Sequence, residues 1–220
     1  MLKQSTFNFL EKLVQNNNRD WFNAHKGEYE EAKENVYAFT DELIREIFVF
    51  DKQVPDTLKA KDCVMRIYRD VRFSLNKDPY KSNFGIGISP KGKNFDIAGY
   101  YLHIQPGNCF VAGGAWMPHP DHLKAIRQEI DYNGADLHRI LDHPAFKKTF
   151  GGLSQEEKLK TAPKGYDADH TDIDILKLKS FTVHANISDK AILAKDGLKT
   201  VAGMFATMHP FIVFLRNSIS

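Results

Sequence analysis

The hydrophobic period of this chain drops to two near its middle, and that change constrains the fold more than any other feature. Phe84, Ile86 and Ile88 alternate with Gly85, Gly87 and Ser89, and residues 90–94 carry the turn residues of a hairpin. Two further runs, IAGYYLHI at 97–104 and NCFVAGGA at 108–115, read as strands joined across Pro106 and Gly107. Connections this short leave no room for the crossover helices that a parallel sheet needs, so the spacing predicts an antiparallel meander. FTVHANI at 181–187 alternates in the same way and can supply one more strand.

On either side the period is helical. Phe7, Leu10, Leu13 and Val14 share a face, and Asn16, Asn17 and Asn18 interrupt it, with Asn18 placed to cap the next segment. From Tyr29 to about Phe50, Ala32, Val36, Phe39, Leu43 and Ile47 recur at spacings of three and four, the pattern of a long helix laid on a sheet. Helical signals return at 120–132, with Leu123, Ile126, Arg127 and Ile130 on one face, and at 137–141, where His143 and Pro144 end the run. Asp196 is placed to cap a helix through Met208, and Pro210 to open a last one through about Asn217. The expectation is one α+β domain over residues 1–220, with helices at the N-terminus and C-terminal to a central, mainly antiparallel sheet.

Composition bounds the function. A net charge of +2 is too small for non-specific nucleic-acid binding to be the main activity. No apolar run is long enough to span a bilayer and the N-terminus has no secretory pattern, so neither export nor a membrane partner is expected. Cys63 and Cys109 are too few for a disulfide framework and fit reduced thiols in the cytoplasm.

The densest chemistry lies at residues 66–83, RIYRDVRFSLNKDPYKSN, where Arg66, Arg69, Arg72, Lys77 and Lys81 face only Asp70 and Asp78. Its β-branched and aromatic residues favour a strand, with Met65, Ile67, Val71 and Phe73 on one side; a helix with Arg66, Arg69, Asp70 and Phe73 on one face is the competing assignment. Like charges two apart on a strand repel by about 2 kcal/mol at an effective dielectric near 20. One aspartate does not cancel three arginines. Either acids from elsewhere complete a structural ion-pair network, or a phosphate or carboxylate ligand does. Residues 77–83 then read as a turn around Pro79 that presents Tyr80 and Lys81.

Together, NNNRDWF at 16–22, RIYRDVRFSLNKDPYKSNF at 66–84, YYLHIQPG at 100–107 and the pair Gly113 and Gly114 resemble the bacterial DUF2461 family, through most of the chain. Its members are catalogued as conserved hypothetical proteins, so the resemblance implies no reaction, substrate or catalytic residue. It does imply that Arg66, Arg69, Asp70, Arg72, Phe73, Lys77 and Tyr80 belong to one signature, and Asn17, Arg19, Trp21 and Phe22 to another.

Other constellations are weaker. Tyr101 and His103 share a strand face that Gly85, Gly87, Gly113 or Ala115 could leave open, which would suit proton transfer near neutrality; a helix packed on that face, with His103 simply hydrogen-bonded, is the plainer account. His119, Asp121 and His122, like Asp167, Asp169 and His170, lack the spacing of a metal motif, and Asp121 reads as a helix cap. No phosphate loop, nucleophile elbow or paired catalytic carboxylates are present, and the cofactor, if any, is unknown from the sequence. The leading expectation is a cytoplasmic protein that binds an anionic small molecule through Arg19, Arg66, Arg69, Arg72, Lys77, Lys81 and Tyr101. Asp70 would orient an arginine, and Tyr80 and His103 would move protons. The alternatives are an interaction module that docks an acidic protein or a nucleic-acid backbone, and an ion-pair network with a purely structural role.

Overall fold

The structure, a computed structural model, describes residues 1–94 and 96–219. Helix α1 (Gln4–Gln15) buries Phe7, Leu10 and Leu13 as the spacing predicts, together with Thr6 and Phe9. Val14, expected on that face, sits in the last turn at the edge of the buried arc and is exposed. Asn18 caps α2 (Arg19–Ala24), its side-chain oxygen accepting from the Trp21 backbone N–H at 2.9 Å. Helix α3 (Lys26–Phe50) begins three residues before Tyr29 and runs through Gly27, and Ala32, Val36, Phe39, Leu43 and Ile47 are all buried along it. A single turn, α4 (Ala60–Cys63), precedes the cationic segment.

Strands β1 (Phe84–Ile88), β2 (Gly99–Ile104) and β3 (Phe110–Ala115) form the expected meander. Helices α5 (Pro120–Leu141), α6 (Pro144–Phe150) and α7 (Ile173–Leu176) follow, then β4 (Phe181–Asn186), α8 (Asp189–Leu193) and α9 (Gly197–Ser218). The sheet order is β1-β2-β3-β4, every pair antiparallel, and the protein is α+β.

Three local expectations are corrected. The helical signals at 120–132 and 137–141 belong to one helix that kinks at Asn133 (φ −125°, ψ 31°). Its N-cap is His119, whose Nδ1 accepts from the Asp121 N–H, and Asp121 lies in the first turn. The run does end before His143 and Pro144, as expected, and Pro144 also opens α6, at a position where its missing N–H costs nothing. Pro210 lies inside α9 instead of starting a new helix. The buried Phe205 and Met208 before it and Phe211 and Ile212 after it keep the axis continuous, so tertiary packing outweighs the lost backbone bond. Asp196 occupies the cap position of α9 without a side-chain cap bond.

The two faces of the sheet differ. Ile86, Ile88, Tyr100, Leu102, Ile104, Val111 and Val183 are fully buried on the inner face, toward α3 and α9. Gly113 lies on this face opposite Tyr100, and a Cβ there would fall 2.2 Å from Met208 Sδ, so the glycine is what lets α9 cross the sheet closely. Gly113 and Ala115 therefore do not border Tyr101 and His103. The outer face carries two rows, Gly87–Tyr101–Ala112–His184 and Gly85–His103–Phe110–Asn186. Helix α9 is long and apolar enough to cross a membrane by length and composition, yet much of its apolar surface is spent on this core.

Candidate functional site

Residues 64–83 are neither strand nor helix. Two isolated bridges, Val64 with Ile86 and Tyr68 with Tyr80, tie the segment antiparallel to the chain entering β1, and the Lys81 N–H donates to the Ile67 carbonyl at 2.8 Å. The alternation expected of a strand fails at its far end: Ile67 is buried, but Phe73 is almost wholly exposed. Beyond Arg69 the chain has no neighbouring strand to complete its backbone bonds, so it closes on itself. The Arg69 N–H bonds the Pro79 carbonyl at 2.9 Å, and residues 70–78 form a loop above that closure.

The cations of the cluster do not converge on one point. Arg72 makes a two-pronged pair with Asp70, Nε to Oδ1 at 3.0 Å and Nη2 to Oδ2 at 2.7 Å, on the surface. This contact holds the Asp70 carboxyl below its ordinary range and raises Arg72. Arg69 braces the loop from inside, donating to the Asp78 carbonyl and Ser74 Oγ, and Lys77 donates to the Val71 carbonyl. Arg66 and Lys81 are left. Among the described residues no carboxylate lies in salt-bridge contact with either, although the Arg66 charge also acts on Asp70, and the Lys81 ammonium is pushed below its ordinary value first by burial and then by the Arg66 charge.

Tyr80 is buried, not presented by the turn. Its ring stacks on Phe22 at 3.9 Å between centroids, and burial raises its phenol above the ordinary value. The Asn17 side-chain amide clasps its backbone, accepting from the Tyr80 N–H at 3.1 Å and donating to the Tyr80 carbonyl at 3.0 Å. The two signature stretches thus meet, with Phe22 as the buried anchor. Trp21 packs half-buried on His25, and Arg19 stays exposed, close enough for its charge to act on Tyr80.

On the outer face of the sheet, Tyr101 leans over Gly85, where a Cβ would lie 2.8 Å from the Tyr101 hydroxyl. That hydroxyl reaches His103 Nδ1 at 3.0 Å, while His103 Nε2 meets Gln105 Oε1 at 2.9 Å. Gln105 Oε1 only accepts, so Nε2 carries the proton and Nδ1 accepts from Tyr101. The imidazole stacks on Phe110 and lies below its ordinary pKa because of burial; burial also pushes Tyr101 up to about 12. Asn83, two residues after Lys81, approaches His103 at 3.5 Å, and Met65, next to Arg66, packs toward Gly85. The Arg66 and Lys81 edge therefore adjoins the Tyr101 and His103 face. Asp70 and Tyr80 belong to other surroundings and share no contact with His103.

One constellation escaped sequence reasoning altogether. Asp51, the C-cap of α3, is buried and receives Arg216 Nη1 on both oxygens at 3.0 and 2.8 Å. Arg216 Nε donates to the Ala98 carbonyl, and the Tyr100 hydroxyl donates to Asp51 Oδ2 at 2.9 Å. His209 Nδ1 lies 2.9 Å from the same hydroxyl, whose proton is committed to Asp51, so Nδ1 is the donor there and Nε2 keeps its lone pair in the neutral ring. Burial, more than any charge, lowers His209. The partners are 165 positions apart in the chain, and only the positions of Asp51 and Arg216 near helix ends hinted at them.

Smaller features complete the survey. His138 Nε2 meets Asp172 at 2.5 Å, and His170 bridges Asp131 and the Asp172 N–H. A groove of about 490 Å³ runs beside His184 along Gly151, Gly152 and Ser154. Among the described residues no three His, Cys, Asp or Glu side chains gather as a metal site. Cys63 and Cys109 are free and buried, and burial pushes each thiol up to about 12, which makes both inert at neutral pH. No curated protein and no solved structure matches the chain. A family model does, over residues 5–214, and with both signatures meeting at Tyr80 the chain belongs to the conserved hypothetical protein family DUF2461.

Proposed function

We propose that this protein binds an anionic small molecule, bearing a phosphate or carboxylate, at the edge of the sheet where Arg66 and Lys81 meet. One observation carries the reading: two neighbouring cations, one of them partly buried, have no carboxylate in salt-bridge contact among the described residues. An anion between them would relieve both the repulsion and the desolvation. Arg19, Arg69 and Lys77 add positive field, and Arg72 stays with Asp70. Tyr101 and His103 border the site as hydrogen-bonding groups; His103 becomes available for proton transfer when a ligand takes the place of Gln105. The role is one of recognition in the cytoplasm, in keeping with two free thiols.

Titration with inorganic phosphate, pyrophosphate and citrate, followed by thermal shift and calorimetry, tests the proposal. Binding should raise the midpoint of the native protein. The Arg66→Ala and Lys81→Met variants should lose the response. Identical titrations for wild type and both variants, or no response from the wild type, would rule the site out.

A further inference from the structure

The loop at residues 70–78 presents apolar side chains to solvent on a cationic base. Phe73 is 96% and Leu75 102% exposed, as far out as side chains of an isolated peptide. They do not hang from a slack segment. The Arg69 N–H to Pro79 carbonyl bond closes the base, the Arg69 guanidinium ties Asp78 to Ser74, Lys77 reaches the Val71 carbonyl, and the Asp78 N–H bonds Asn76 Oδ1. The cations thus hold a finger open with its two largest apolar groups at the tip. The Arg72 guanidinium lies over the Phe73 ring at 5.9 Å, and Tyr68, half exposed, stands at the base.

We infer that this finger docks the protein on an anionic phospholipid surface, with Phe73 and Leu75 entering the headgroup boundary and the exposed Arg66, Arg72 and Lys77 facing lipid phosphates. Charge complementarity selects this occupant. Five cations outnumber two aspartates in the loop and at its base, and a leaflet of anionic lipids attracts such a cluster while accepting apolar side chains that need no preformed pocket. Nucleic acid fits less well, because Leu75 has no ring to stack on bases and the Phe73 face is already shared with Arg72. Tyr68 stands where amphipathic rings settle at a membrane interface. The expectation of no membrane partner rested on the lack of a spanning segment, and a two-residue finger is a different mode of contact. The inference shares Arg66 with the anion site but needs the loop tip, which that site does not.

Co-sedimentation of the full chain with vesicles of phosphatidylcholine alone, and of phosphatidylcholine mixed with an equal part of phosphatidylglycerol, tests it. The wild type should pellet with the anionic vesicles only, and less as salt is raised. The double variant Phe73→Ser/Leu75→Ser, whose positions touch no core, should bind about tenfold more weakly while keeping its phosphate response. Arg72→Gln/Lys77→Gln should weaken binding and flatten its salt dependence. Failure of the wild type to pellet, or equal pelleting by the Ser/Ser variant, overturns the inference. So does a wild-type dimer that this variant converts to monomer, which would make a second copy the occupant, or tip-dependent binding to a single-stranded oligonucleotide without vesicle binding.

Discussion

Two arginine–aspartate pairs in this protein each engage both carboxylate oxygens and differ in almost everything else. Arg72 and Asp70 are two residues apart, pair in two prongs, and sit in water at the base of the finger. Arg216 and Asp51 also pair, but both are buried, and Tyr100, His209 and the Ala98 carbonyl complete the network. The first pair is screened and its loss returns two ions to solvent. Loss of one member of the second strands a charge in the core. The location of an ion pair, more than its distance, decides whether it holds a fold together. In this protein the conspicuous cluster supplies surface charge, and the inconspicuous one joins α3, β2 and α9.

Four experiments sharpen that contrast, in falling order of expected effect. Arg216→Ala should cost about 3–5 kcal/mol, because Asp51 loses its counter-charge inside the core; urea denaturation reads it, and a change near zero would mean that the core pair is dispensable. Tyr100→Phe should cost about 1–3 kcal/mol, since Asp51 and His209 each lose a bond while the ring remains. The third is a pH dependence. His209 titrates lower in the folded protein than its ordinary 6.5, so the unfolded chain binds more protons, and stability should be full above that value and fall as the pH drops below it. His209→Gln should flatten this part of the curve, although the lowered His103 contributes in the same direction. Last, Arg72→Ala should leave the denaturation midpoint unchanged, and a clear loss would contradict the surface assignment of that pair.

The buried faces of α1 and α3, the three-strand meander and β4 were legible because each depends on a local period that backbone geometry imposes. Pro210 misled, since proline alone fixes only its own φ and missing N–H; whether a helix runs through or starts there depends on packing on both sides. The site was legible in part for the same reason. The cationic run is contiguous, so its charge excess could be counted, and the Tyr101, His103 and Gly85 face followed from strand alternation. How the charge is distributed could not be counted.

By itself, the sequence determined the α+β class, the order of the main elements and the presence of more positive charge at 66–81 than its own aspartates offset, since all of these are properties of neighbouring residues. Tertiary structure alone decided that Arg72 is satisfied, that Arg69 serves its own loop, that Arg66 and Lys81 are left over, that Tyr80 is buried against Phe22, and that Asp51 receives Arg216. Those outcomes depend on burial and on partners up to 165 positions away, and both come into being only when the chain closes around its core.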